Sequence, residues 1–201
     1  LDEKERDKMN PILSILICTT IDRRELFELL HSEFLKQCHG LDVELLYEED
    51  DKTISVGAKR QKLLLRAQGK YVVYFDSDDW PMPDYVIEIM TALQQEPDCV
   101  GFLIAMTTNG KNPQVCCHSL RFKVWEKNRH GYHYVRGVTH FNPVLRKLAL
   151  LVGFPDIRFG EDKYYSDRIT RICKREVFIN KKLFHYRYTN SVPHKQKYGI
   201  T

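Results

Sequence analysis

The run Tyr71-Val72-Val73-Tyr74-Phe75-Asp76-Ser77-Asp78-Asp79-Trp80 sets five apolar residues against three carboxylates crowded into the next four positions. An uninterrupted apolar run of strand length is how a parallel strand covered on both faces reads. Carboxylates at its carboxyl end stand where open α/β sheets hold their ligands. Upstream, Ile12-Leu-Ser-Ile-Leu-Ile-Cys18 is a second run of this kind, and Val43–Tyr47, followed by Glu48-Glu49-Asp50-Asp51, is a third. Between the first two strands Asp22 can cap a helix with Glu25 as its capping-box partner, and Leu26, Leu29, Leu30 and Phe34 recur at helical spacing to about Gln37. A further helix is expected near residues 56–67, with Gly69 as its stop signal. Strand, helix, strand, helix, strand implies right-handed crossovers and a parallel sheet of the nucleotide-binding kind.

Beyond Trp80, Pro81-Met-Pro83-Asp84 opens a third helix whose apolar stripe is Val86, Ile89, Met90 and Leu93. Cys99–Met106 reads as a buried strand, and residues 121–125 and 132–136 alternate like a hairpin across Asn128–Gly131, which suggests a small second sheet. Asn142-Pro143 reads as a cap and first-turn proline of a helix ending at Gly153. Tyr165, Ile169, Ile172 and Cys173 mark a last long helix before strands near 176–179 and 183–188.

Composition narrows the class. The chain has 201 residues, 31 Lys+Arg against 27 Asp+Glu, and 43% hydrophobic residues, which excludes a disordered tail or a coiled coil as its bulk. The longest uncharged stretch, Cys99–Gly110, falls well short of the ~20 residues a membrane-spanning helix needs. Leu1-Asp-Glu-Lys-Glu-Arg-Asp-Lys8 has no signal-peptide pattern; residues 1–9 are set aside as an extension, and Met9 is a candidate start. Six cysteines without a CxxC pair or metal-ligand spacing fit reduced thiols, hence a cytoplasmic setting. The last quarter is basic, through Arg168, Arg171, Lys174, Arg175, Lys181, Lys182, Arg187, Lys195 and Lys197. That segment suits an anionic partner or a solvated basic face.

The chemistry gathers at Asp76-Ser77-Asp78-Asp79. Crowded carboxylates call for a cation, and Mg²⁺ or Mn²⁺ takes few protein oxygens and completes its shell with substrate phosphates, which points to a nucleotide diphosphate. The competing reading is an acidic turn that caps the helix near Pro83. Four further segments share this order: Gly57-Ala-Lys-Arg60-Gln61 and Ala67-Gln-Gly69-Lys-Tyr71 before the acidic run, then His140-Phe-Asn-Pro143 and Gly160-Glu161-Asp162-Lys-Tyr-Tyr-Ser-Asp167 after it. With these motifs the chain resembles the family 2 glycosyltransferases of the GT-A fold along nearly its whole length, and short single-domain bacterial and phage members in particular. Cys18-Thr19-Thr20 replaces the family's usual Pro-x-Tyr-Asn turn.

The resemblance implies one GT-A-like domain over residues 10–201: a Rossmann-like nucleotide-sugar half (10–80) and an acceptor and catalytic half (81–201), with a mixed central sheet flanked by helices. It implies metal-dependent, inverting transfer from a UDP-sugar to an acceptor hydroxyl. Donor contacts would come from Thr19, Glu48 (or Glu49, Asp50 or Asp51), Gly57, Arg60, Asp76 and Asp78. Mn²⁺ or Mg²⁺ would sit on Asp78 and Asp76, with His185 where some members add a third ligand. Asp162 would be the general base, with Glu161 the alternative; taken alone, the pair also reads as the acidic first turn of a helix. His140 and Arg187 would meet phosphate or acceptor. Trp80, Trp125 and the tyrosines offer stacking surfaces. The acceptor is expected to be a surface glycan or, for a phage enzyme, a hydroxymethylated base in DNA. A nucleotidyltransferase would want a glycine-rich loop after the first strand, which Thr19-Thr20-Ile-Asp-Arg-Arg24 does not offer. A non-catalytic nucleic-acid-binding module leaves the carboxylates without a purpose.

Overall fold

The computed structural model describes residues 10–188. The extension 1–9 and the C-terminal residues from 189 on, including Lys195 and Lys197, lie outside the described residues.

Three apolar runs form parallel strands β1 (Leu13–Thr20), β2 (Val43–Asp50) and β3 (Tyr71–Asp76). They lie in the order β2-β1-β3, with Cys18 opposite both Glu48 and Asp76, so their carboxyl ends form one edge. The period of two along β1 divides the core. Ile15 and Ile17 pack with Phe27, Leu30 and Phe34 of helix α1 (Arg24–Gln37), whereas Leu16 and Cys18 join Leu63 and Leu64 of α2 (Val56–Arg66) on the other face. A strand apolar on both sides is thus one covered by helices on both sides.

The second half extends this sheet. β4 (Trp80–Pro81), α3 (Tyr85–Leu93), β5 (Cys99–Thr108), β6 (Lys111–His118), β7 (Glu126–Arg129), β8 (Tyr132–Arg136) and β9 (Val144–Leu145) precede α4 (Arg146–Val152), α5 (Glu161–Ile172) and β10 (Glu176–Tyr188). The sheet runs β2-β1-β3-β9-β5-β6-β8-β7, with β10 beside β5 and β4 beside β10. It is the mixed α/β architecture expected, with several local corrections. The hairpin makes no separate sheet: it is confined to β7 and β8, and β8 lies parallel on the open edge of β6, where unpaired backbone groups need partners.

Asp22 caps nothing, because a 3₁₀ turn (Ile21–Arg23) intervenes and its carboxylate takes Lys52 Nζ at 2.7 Å. Gly69 is no helix stop: α2 ends at Arg66, and a Cβ on Gly69 would stand 2.4 Å from Ser14 Oγ, so glycine is there for close approach to β1. Pro81 and Pro83 precede α3 rather than lie in its first turn. Asn142 is buried and makes no helix cap; its side chain accepts from Thr139 N at 3.0 Å and donates to Val100 O at 3.0 Å, and α4 starts only at Arg146. The two expected C-terminal strands are one, β10, with register shifts between Ile179 and Phe184.

Two buried histidines tie stability to pH. His118 lies between Asn142 Oδ1 at 3.3 Å and Tyr134 OH at 3.2 Å, and burial, with Arg136 nearby, pulls its pKa well below the usual value. Burial and the Arg60 charge do the same to His140. The folded state keeps both neutral while the unfolded chain takes up protons below pH ~6.5, so stability is complete above that pH and drains away beneath it, by up to about 1.4 kcal/mol per pH unit for each ring. Thermal midpoints should fall steeply from about pH 7 to about pH 5, and His118→Gln should flatten that slope. An equal slope in the variant would contradict the assignment.

Candidate active site

Helix α2 organises the carboxyl edge of the sheet. Its N-cap Ser55 accepts from Ala58 N at 3.0 Å and donates to Asp156 Oδ1 at 2.6 Å, which pins the helix start to the loop before α5. Gly57 packs directly on that loop: a Cβ there would stand 2.0 Å from Pro155 O. Lys59 reaches the opposite way, to Thr19 O at 2.8 Å and to the buried carboxylate of Asp50. Burial would raise Asp50, but the Lys59 ammonium and the Ile54 N–H hold it below its ordinary value. Gln61 accepts from Phe154 N at 2.8 Å. Each polar residue of this helical motif therefore has a structural partner.

Arg60 is the centre. Its side chain is 2% exposed and donates to both oxygens of Asp76, at 2.9 and 3.0 Å, and to Glu161 at the first position of α5. Desolvating a guanidinium is costly, and the paired carboxylates more than offset it: the charged form of Arg60 is strengthened. Glu161 is 6% exposed, and burial raises its pKa despite Arg60. Asp162, next to it, turns to solvent; its side chain is 35% exposed and lies 3.5 Å from Arg136 Nη1 of β8.

Beyond β3 the three aspartates separate. Asp76 and Asp78 keep side chains 31% and 34% exposed, Asp78 facing Arg23 at 2.9 Å. Asp79 is 2% exposed and accepts from Arg187 N at 3.3 Å; burial and its two acidic neighbours push its pKa well up. A cleft of about 520 Å³ opens over the edge, with Thr19, Arg60, Asp76, Arg158, Glu161 and Asp162 among its walls.

The sequence-expected residues divide accordingly. Thr19, Arg60, Asp76, Glu161 and Asp162 meet at this cleft. Glu48 does not reach it: its carboxylate is held outside α2 by Lys62 and by Arg66 at 2.9 Å, while Asp50, two residues on, points inward. Gly57 is buried in helix packing. His185 Nε2 pairs with Thr107 Oγ1 at 2.9 Å, and the Arg187 guanidinium lies 5.2 Å from the Trp80 ring centroid. Both alternate along β10 with Tyr186, the residue that lines the cleft. His140 is buried, and neither of its ring nitrogens has a hydrogen-bond partner among the described residues. Arg23, Lys59, Arg136 and Tyr186 were not singled out in the sequence; only Lys59, inside the Gly57–Gln61 motif, carried a signal.

The glycosyl transferase family 2 model matches residues 33–149, more than half of the chain. The chain belongs to this family. Among curated proteins it is 23% identical over 169 residues to the glycosyltransferase GlyA of Streptococcus pneumoniae, covering 77% of this chain and 24% of that protein. It is 22% identical over 156 residues to the putative glycosyltransferase EpsH of Bacillus subtilis, covering 66% and 41%. Among solved structures, S. aureus TarS 1-349 superposes with TM-score 0.64 at 14% identity over 87% of this chain and 60% of that one. The TarS complex with UDP-GlcNAc superposes with TM-score 0.65 at 13% identity over 92% and 60%. The chain thus spans a quarter to two fifths of these curated relatives, and the structural likeness establishes the GT-A fold.

Removing Arg60 leaves two carboxylates, one of them buried, without their counter-charge, which costs about 3–5 kcal/mol in comparable pairs. Urea unfolding of Arg60→Ala should show a loss of that size. A loss under about 1 kcal/mol, the range of exposed pairs, would remove Arg60 from the centre of the site.

Proposed function

We propose that this domain transfers a sugar from a UDP-sugar to an acceptor hydroxyl, with metal dependence and inversion at the anomeric carbon. The observation that carries the reading is the meeting of Asp76 and Asp162 in one cleft at the carboxyl edge of β1 and β3, in a chain of this family. UDP-GlcNAc and UDP are what the TarS complexes contain, and they support uridine diphosphate as the donor's leaving group here. The donor half is residues 10–80, the acceptor half 81–201, and the acceptor most in keeping with the family is a glycan.

A divalent cation suits the donor set. Among the described residues no cluster of three or more metal-ligating side chains forms a ready-made cage. Two part-exposed carboxylates, Asp76 and Asp78, stand at the strand end, and Asp78 is opposed by a part-exposed Arg23 whose hold on it is weak. Mg²⁺ and Mn²⁺ bind through one or two carboxylates and leave their other positions to phosphate oxygens. Asp78 and Asp76 would hold the ion, which when bound neutralises charge on the departing diphosphate. The buried, raised Asp79 is unsuited as a ligand and instead ties β10 to this turn.

The chain's own groups do the rest. Asp162 accepts the proton of the acceptor hydroxyl as its oxygen attacks the anomeric carbon. Glu161, buried and paired with Arg60, is less suited to that role. With Asp162 as the one base and Asp76 and Glu161 both paired with Arg60, the reaction is read as a single displacement with inversion. Arg136 orients Asp162 from the acceptor side, and Arg23 and Arg158 line the cleft where diphosphate charge would lie. Asp50, anchored by Lys59 behind the cleft wall, would take over from Glu48 the acidic role toward the donor base.

DNA as acceptor has less support, since Lys181 of the basic segment is already paired with Asp84 and Glu88. Six cysteines without a disulfide among the described residues suit a reducing cytoplasm. No helix among the described residues is long and apolar enough to cross a membrane.

Calorimetric titration of UDP should show binding with Mn²⁺ that is lost with EDTA and in Asp78→Ala. Asp162→Asn should retain UDP binding while turnover of a UDP-sugar falls about 10²- to 10⁴-fold. UDP binding indifferent to metal and to Asp78, or turnover untouched in Asp162→Asn, would overturn the reading. DNA binding without UDP or metal would favour a nucleic-acid module.

A further inference from the structure

A second cavity, of about 510 Å³, adjoins the first at Asp162. Arg60, Asp76, Glu161, Asp162 and Tyr186 border both, so the two spaces meet at the candidate base. Its own wall comes from the β7–β8 hairpin, through Trp125, Lys127, His133 and Arg136, and from His140 beneath. We propose that this cavity is an acceptor subsite for a saccharide that carries an anionic group, a carboxylate or a phosphate. The inference rests on the glycosyltransferase reading and goes beyond it by naming the class of acceptor.

Three features converge. Trp125 is 56% exposed at the cavity wall, with its ring stacked 6.1 Å from Tyr134, so one aromatic face is braced from behind and the indole is open to a ligand. Large exposed aromatic rings beside a carboxylate suit the apolar faces and hydroxyls of a sugar. The second feature is His140, 4% exposed, with neither ring nitrogen hydrogen-bonded among the described residues. A buried unsatisfied imidazole costs free energy unless something meets it. Kept neutral by its surroundings, it can donate through one nitrogen and accept through the other, the dual capacity a hydroxyl requires.

The third feature is a gradient of charge along the cavity. At its buried end Arg60 serves two carboxylates, Asp76 and Glu161, and Arg136 serves Asp162. The exposed end is cationic: Lys127 lines it, Lys123 lies in the adjoining hollow under Trp125, and neither side chain forms an ion pair among the described residues. An acceptor therefore enters with its hydroxyl toward Asp162 and leaves its negative group at the lysines. A neutral sugar would leave Lys127 unused.

The chain has two tryptophans, so Trp80→Phe leaves Trp125 as the reporter. With UDP and Mn²⁺ present, its fluorescence is titrated with glucose, glucuronate and glucose 6-phosphate. The two anionic sugars should saturate the signal at concentrations about 3- to 10-fold lower than glucose, as expected for one hydrogen-bonded charge near solvent. Lys127→Ala should abolish that preference while leaving UDP affinity, measured by calorimetry, unchanged. Glucuronate and glucose 6-phosphate separate the carboxylate from the phosphate source. Equal response to all three sugars, no response to any, or a preference that survives Lys127→Ala would overturn the proposal. Displacement of both anionic sugars by a DNA oligonucleotide at lower concentration would overturn it in favour of a nucleic-acid surface. Failure of UDP to bind the unsubstituted chain with Mn²⁺, measured by calorimetry, would instead tell against the donor site, which keeps the two failures distinct.

Discussion

One buried guanidinium joins three parts of the chain that lie far apart in sequence. Arg60 on α2 grips Asp76 at the end of β3 and Glu161 at the start of α5, a hundred positions on. That cross-link fixes the end of β3 against the start of α5. It leaves the two neighbouring carboxylates in different settings: Glu161 is buried against Arg60, whereas Asp162 is part-exposed beside Arg136. It also brings the carboxylate at the end of β3 to the same wall as Asp162. Such an ion pair is poor at adding stability over an apolar alternative, because desolvation consumes most of the Coulombic gain. Its worth is positional.

The reach of sequence reading follows from which constraints are local. The parallel half was legible because strands buried on both faces have to be apolar throughout, and β1, β2 and β3 are bounded by acidic or glycine-containing turns. Asp76 and Asp162 were legible as carboxylates at a strand end and a helix start. The side-chain caps at Asp22 and Asn142 were not, since cap residues have other uses: Asp22 serves an exposed pair with Lys52, and Asn142 satisfies backbone groups in the core. Glu48 and Asp50 show the same limit at finer scale. Two residues apart on a strand they share a face, and what separates them is the partner each finds on α2: Asp50 is buried against Lys59, whereas Glu48 is held at the helix surface by Lys62 and Arg66. Arg136 had no local signal, because its role exists only once β8 has been laid beside β6.

Glycine illustrates how a motif position can matter to a site it does not touch. Gly57 lets α2 lie against the 155–157 backbone, and only at that separation can Arg60 bridge to α5. A side chain there would push the helix off the loop and separate Asp76 from Asp162 without altering either. The cleft over the sheet edge and the cavity beside it, which share Arg60, Asp76 and Asp162, depend in this way on one helix position.

The most direct test of this account is diffraction from crystals soaked with UDP and Mn²⁺. The account requires an anomalous peak beside Asp78 at the end of β3, the diphosphate against it, and the uracil over the ends of β1 and β2 near Asp50. UDP bound elsewhere, or a metal ion remote from Asp76 and Asp78, would contradict it.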